Sequence, residues 1–394
     1  MHTLYRNTMH KNVIILLACL LILLPLKLKS QEPDFNPILT AMPSLQIAPD
    51  ARGGGMGDVG AATMPDVYSQ HWNAAKYPFI TTDAGLAFSY TPWLSDLISD
   101  INMLYASGYW KFGNDKLNAI SASLRYFSLG DVDIAGPGGE FWQSVSPHEF
   151  AIDVAYSRRL TETFSGAVTL RYLRADYSIA GDESTAGNAF SADIAGYNES
   201  YFYMGRSEAL LGLGFNISNI GTKISYDGGE TSSFLPANLR VGASLGYPID
   251  IKNTITVSLD MNKLLVPTPP YSEINETDEM FDKMDEYNDI SSIGGIFKSF
   301  GDAPGGFKEE MQEIIWSLGF EYVYNNQFSL RTGYSNENEF KGNRRYVTFG
   351  AGFRTKAFQI DAAYLVSTAQ SNPLDQTLRL SLGFDLDGLK NLMN

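Results

Sequence analysis

Long stretches of this chain alternate strictly between apolar and polar side chains. Leu378, Leu380, Leu382, Phe384 and Leu386 interleave with Thr377, Arg379, Ser381, Gly383 and Asp385. Ile255, Val257, Leu259 and Met261 interleave with Thr254, Thr256, Ser258 and Asp260. The same holds for Ile120 to Tyr126 and for Trp316 to Tyr324. Successive side chains of a strand face opposite sides, so each segment reads as a two-faced strand. Charges recur on the polar face: Arg125, Asp153, Arg171, Arg240, Asp260, Glu321, Arg331, Asp361 and Arg379. A soluble sandwich turns its polar face to water, whereas a membrane barrel turns its apolar face to lipid and its polar face to a lumen. Aromatics near the strand ends (Tyr126, Tyr156, Tyr172, Tyr247, Tyr322, Tyr364) fit the girdles of a membrane barrel.

The pattern predicts strands near 81–91, 101–112, 117–127, 148–158, 163–175, 188–197, 207–218, 238–248, 253–263, 313–324, 327–335, 344–355, 357–367 and 376–387. The expected fold is therefore all-β: a fourteen-stranded antiparallel transmembrane β-barrel. Connections alternate in length. Asn114-Asp115-Lys116, Leu160-Thr161-Glu162, Asp250-Ile251-Lys252, Asn325-Asn326 and Thr355-Lys356 are tight turns. Those near 128–147, 176–187, 219–237, 264–312, 336–343 and 368–375 are longer. Short periplasmic turns and long surface loops are the habit of such barrels, and an even strand count puts both chain ends on the periplasmic side.

Residues 31–80 do not alternate and are expected to form an N-terminal periplasmic or plug segment ahead of a barrel spanning 81–394. Ser69 to Tyr77 could make a short helix. A fourteen-stranded lumen is too wide for barrel side chains alone to fill, so water or this segment must occupy it. The loop 264–312 is extracellular and acidic in its first half, from Glu273 to Asp289. Its second half is glycine-rich and carries Phe297, Phe300 and Phe307. Short helical pieces are expected near Glu276–Tyr287 and Phe307–Glu313. A loop of this length is usually functional or disordered.

Residues 1–30 have the layout of a secretory signal peptide: Arg6, His10 and Lys11, then an apolar run from Val13 to Leu26. That run is shorter than the roughly twenty residues a spanning helix needs. The chain's one cysteine, Cys19, lies inside it, so removal of the leader leaves no thiol for disulfides, metal binding or nucleophilic catalysis. The net charge of −15 argues against nucleic acid as a partner, because a phosphate backbone needs a basic footprint.

No cofactor, metal site or enzymatic activity is expected. The acidic loop lacks calcium-loop spacing. Gly53-Gly54-Gly55-Met56-Gly57 has no following Lys-Ser/Thr and reads as tight turning inside a crowded barrel, not as a phosphate loop. Ser144, Ser146, His148 and Asp153 are near in sequence and are the one grouping that could make a nucleophile and base.

Ala51 to Gly60 followed by Asn73-Ala74-Ala75 is similar to the glycine-rich hatch and Asn-Pro-Ala-like segment of the FadL-like fatty-acid transporters, with alanine replacing the proline. A sharper resemblance is carried by Asn216-Ile217-Ser218-Asn219-Ile220-Gly221, Phe234-Leu235-Pro236-Ala237-Asn238-Leu239-Arg240, and the block from Phe297 to Phe307. Trp316 to Tyr322 and Lys341 to Tyr346 add to it. These segments resemble the PorV (LptO) family, outer-membrane barrels of the Bacteroidetes type IX secretion system. The resemblance implies a non-catalytic carrier in the cell outer membrane, in contact with its lipid and lipopolysaccharide. It would bind the C-terminal signal domain of secreted cargo, take cargo from the translocon barrel and deliver it to the surface sortase PorU. On this reading Phe297, Phe300, Asp302, Pro304 and Phe307 are the candidate cargo-binding residues. A FadL-like transporter of hydrophobic molecules is the alternative, and a lipid-modifying enzyme built on His148 and its serines the third.

Overall fold

A computed structural model describes residues 35–93, 100–135, 140–177, 185–229, 231–270, 278–369 and 375–393. The expected leader and the start of the acidic loop half lie outside the described residues. Fourteen strands form one closed antiparallel barrel: β1 Ala84–Pro92, β2 Ile101–Phe112, β3 Asn118–Leu129, β6 His148–Arg159, β7 Phe164–Asp176, β8 Gly187–Met204, β9 Ser207–Gly221, β10 Asn238–Pro248, β11 Asn253–Leu264, β12 Ile315–Tyr324, β13 Phe328–Asn336, β14 Arg345–Arg354, β15 Phe358–Ser367 and β16 Leu378–Asp385. β1 pairs with β16, from Gly85 opposite Asp385 to Tyr90 opposite Leu380, which leaves the sheet no free edge.

The alternation seen in the sequence is the alternation of the wall. On β11, Ile255, Val257, Leu259 and Met261 are exposed outward while Thr256, Ser258 and Asp260 are buried inward. Phe88, Leu170, Phe190, Leu330 and Phe349 continue the outer apolar surface on other strands. A large continuous apolar exterior around a polar interior suits a bilayer and not water. Register sets opposite charges side by side within the lumen: Asp153 faces Arg171 across β6–β7, and Glu321 faces Arg331 across β12–β13.

Short turns sit at one mouth. The one between β12 and β13 carries Asn325 and Asn326 at φ of 53° and 54°, both in the left-handed region that type I′ hairpin turns use. Two elements differ from expectation. β8 runs to Met204 instead of ending near 197, and turns at Gly205–Arg206. The run Tyr201-Phe202-Tyr203-Met204 has no polar partner positions and so hid its strand character. The connection 128–147 contains a separate hairpin, β4 Val132–Ala135 with β5 Phe141–Val145.

Short helices occupy the connections and the lumen: α1 Ala51–Gly54, α2 Ser69–Trp72, α3 Asp278–Asp289, α4 Ser292–Lys298, α5 Phe307–Gln312 and α6 Leu386–Met393. The helical pieces expected in the long loop are therefore present as α3 and α5, with α4 between them. Both ends of the barrel strands lie at the short-turn mouth, as parity requires. The start of the described chain does not. Asn36 and Ala41 bond to the long connections at the other mouth, and the segment descends through the lumen before β1 begins.

Candidate functional site

Residues 36–80 fill the barrel as a plug, and polar lumen side chains hold them. The carboxylate of Asp260 accepts from the backbone N–H groups of Gly60 and Ala61 at 2.8 and 3.0 Å. Arg240 donates to the carbonyl of Asp58 at 2.9 Å. Arg52 reaches out of α1 to grip Glu321 with two nitrogens, at 3.2 and 3.1 Å, and also pairs with Asp66. Glu321 is shared with Arg331 at 2.8 Å, and Arg331 continues to Asp361 at 2.7 Å. On the opposite wall Arg171 bridges Asp153 and Asp193, and Gln70 of the plug donates to Asp153 at 2.7 Å. All nine charged residues expected inside do face the lumen. They pair with one another and with the plug, the arrangement that makes burial of a charge tolerable.

Small residues let the plug come this close. A Cβ on Gly319 would sit 2.6 Å from the Met56 carbonyl oxygen. One on Gly333 would overlap the plug backbone at Met56–Gly57 outright. Gly53 and Gly60 similarly make room for the Trp72 indole, which donates to Asp50 at 2.6 Å. Gly57 has φ of +73°, so the glycine-rich run does serve tight turning. Asn73, fully buried, donates to the carbonyls of Ala61 and Gly196, both at 2.9 Å, tying the plug to itself and to β8. The plug lies between a cavity of about 340 Å³ at the long-loop mouth and one of about 590 Å³ at the short-turn mouth. Trp93, Ile101, Phe127, Leu129, Leu264 and Ile315 give the first an apolar wall, and Arg379, Asp58 and His71 line it as well.

Above that cavity stands the loop between β11 and β12, pinned to the rim. Lys263 at the end of β11 pairs with Glu310 and Glu313 at 3.0 and 2.5 Å. Lys341, from the β13–β14 connection, pairs with Glu309 and Glu313 at 2.5 and 3.1 Å. Thr268 donates its hydroxyl to Glu313 at 2.9 Å and its backbone N–H to Asp302 at 3.1 Å. Tyr287 of α3 packs edge-on against Phe234 and donates to the Pro267 carbonyl at 3.2 Å. Its burial pushes the phenol up to about 12. Burial, with Glu310 and Glu313 nearby, raises the Asp302 carboxyl above the usual range.

What the pinned loop leaves outward is aromatic. Phe297, Phe300 and Phe307 are 75%, 54% and 73% exposed, and Pro304 is exposed between them. Asp302 differs from its neighbours: it is half-buried and holds the loop together. Sequence reasoning missed the lysine clamp. Lys263 and Lys341 lie 78 positions apart, and only the barrel's register makes them neighbours. The serine–histidine grouping does not assemble. Ser144 lies exposed on β5, Ser146 donates to Asp131 at 2.5 Å, and His148 Nδ1 lies 3.1 Å from the Ser146 carbonyl. Asp153 is inside the lumen, committed to Gln70, Ser123 and Arg171.

Comparison with known proteins agrees with this geometry. Among solved structures, the TodX deltaS2S3 mutant monoaromatic hydrocarbon channel has a TM-score of 0.50 at 13% identity, with 85% of this chain and 98% of that chain covered. It has the same barrel fold. The toluene transporter TodX of Pseudomonas putida gives 0.46 at 12% identity, over 89% and 99%. The toluene transporter TbuX of Ralstonia pickettii gives 0.43 at 12%, over 86% and 96%. No curated protein matches the chain by sequence. The family described as Type IX secretion system protein PorV matches residues 29–271, from before the plug through β11 to the start of the long loop. The plug and the lumen residues that grip it from β1 to β11 fall within that match, and the exposed Phe297–Phe307 block lies beyond it. The match takes in more than half of the sequence, and the chain belongs to the PorV family of type IX secretion system proteins.

Proposed function

We propose that this protein is a non-catalytic carrier in the outer membrane, its long loops at the cell surface. It would bind the C-terminal signal domain of secreted cargo, receive cargo from the translocon barrel and pass it to the surface sortase PorU. The observation that carries the reading is the loop end itself: three exposed phenylalanines on a segment clamped by Lys263 and Lys341. Exposed aromatics on a rigid frame are the anchors of protein interfaces, because little conformational freedom is lost when they are covered. Lipid and lipopolysaccharide surround the apolar belt.

Replacing Phe297, Phe300 and Phe307 together by serine tests this. Each anchor is worth about 1 kcal/mol or more, so cargo-domain binding should weaken at least about a hundredfold. The barrel's heat-dependent shift on gels should not change. Full retention of cargo would remove the loop from the reading.

The apolar cavity of about 340 Å³ favours one second reading, carriage of a small hydrophobic molecule. Mass spectrometry of the protein extracted in a chemically unrelated detergent would then find a co-purifying lipid in the barrel, displaced by bulky substitution at Phe127.

A further inference from the structure

We infer that the N-terminal strap, Phe35 to Ile47, is displayed on the outer face of the membrane, so that the chain enters its own barrel from the cell-surface side. The inference rests on the outer-membrane orientation proposed above and is independent of the cargo reading.

The path is marked by hydrogen bonds. Asn36 donates its backbone N–H to the Phe340 carbonyl at 2.9 Å, and Ala41 donates to Phe234 at 2.9 Å. Phe340 and Phe234 belong to the β13–β14 and β9–β10 connections, both long, so the strap crosses the surface mouth and ties loops from separate parts of the wall. The chain then sinks. Arg125 of β3 donates to the Ile47 carbonyl at 3.2 Å. Asp260 holds Gly60 and Ala61 lower in the lumen. Lys111, two residues before the tight turn at Gly113, donates to the Ile80 carbonyl at 2.5 Å. Only there does β1 start.

Length does not dictate this route. An apolar band about 25 Å tall could be crossed by fewer than ten extended residues, so 46 residues could equally fold back on themselves. The bonds to the surface loops select the direction. The strap's side chains fit the placement. Phe35 and Leu39 are 64% and 71% exposed on its outer side, while Met42 and Leu45 are buried below. The strap is also the roof of the upper cavity, since Pro43 to Ile47 line it. It lies next to the clamped loop, because Lys341, which follows Phe340, holds Glu309 of α5.

The sole cysteine, Cys19, lies in the expected leader, so wild type with the leader removed is the blank for thiol labelling. Single-cysteine variants Leu39→Cys, Phe297→Cys in the long loop and Ile251→Cys in a short turn are expressed in cells. They are then treated with a polyethylene-glycol maleimide too large to cross the outer membrane. Only heat-shiftable, folded barrel is scored. Leu39→Cys and Phe297→Cys should gain mass on intact cells to the same extent, and Ile251→Cys only after the membrane is opened. Leu39→Cys behaving like Ile251→Cys while Phe297→Cys labels, or staying unlabelled throughout, would overturn the inference. Labelling of Ile251→Cys alone on intact cells would invert the orientation and defeat both readings. Phe35→Cys repeats the test if Leu39→Cys fails to fold.

Discussion

Asp58 in the plug and Arg379 in the last barrel strand are joined by an ion pair of 2.8 Å, 321 positions apart in the chain. Asp58 also accepts from the Tyr346 hydroxyl at 2.7 Å and offers its backbone carbonyl to Arg240. One plug residue thus gathers β10, β14 and β16. Replacing Arg379 by methionine keeps much of the packing and strands the carboxylate. Breaking a buried pair in this way costs about 3–5 kcal/mol, and the lower end applies because Asp58 borders the cavity. The temperature at which the folded gel band disappears should fall. The double change with Asp58→Asn should recover part of the loss, because no unpaired charge remains. An unchanged transition would mean that the pair does not hold the plug.

Gly333 and Gly166 are both barrel glycines with opposite surroundings. A Cβ at Gly333 collides with the plug backbone, whereas the nearest heavy atom to one at Gly166 is 3.6 Å away. Gly333→Ala should therefore disturb the plug by about 1–3 kcal/mol or more, the usual cost of overpacking. Gly166→Ala should be close to neutral. Conductance across planar bilayers checks it: the first variant should open more often than wild type and the second should not.

Asp302 gives the loop a pH dependence with a defined sign. Its carboxyl is raised in the folded protein, so the protonated form is favoured there. The stabilisation is fully present below the unfolded carboxyl value of about 3.9 and is lost as pH rises through the raised folded value. Once exchange is corrected for its intrinsic rise with pH, the amides of the loop around Asp302 should be less protected at neutral pH than at mildly acid pH. Asp302→Asn should abolish most of that difference, while its side-chain oxygen can still accept from Thr268. Identical pH profiles in the two proteins would contradict the assignment.

The barrel was legible because its environment is simple. Lipid outside and a charged lumen inside impose period two, and Ile255 to Met261 show it without ambiguity. The extension of β8 through Tyr201 to Met204 was not, because all four of these side chains are exposed and nothing enforces alternation on them. Residues for the candidate site were readable by type, and Phe297, Phe300 and Phe307 do lie outward. Asp302 stood in the same motif and does a different job, which only its bond to Thr268 distinguishes. The plug could be anticipated from lumen width. Its direction could not, because parity counts strands and is blind to a segment that runs back through the middle.

Seating of the plug and closure of the barrel use the same place. Ser381 of β16 accepts the N–H of Ala51 at 2.8 Å and touches Ser89 of β1 at 2.7 Å, at the seam where the first and last strands meet. Ala51 and Ser381 lie 330 positions apart, so this contact needs the last strand in place. A prematurely ended chain lacking β16 would have neither seam nor latch. A seated plug therefore marks a barrel whose last strand is in place.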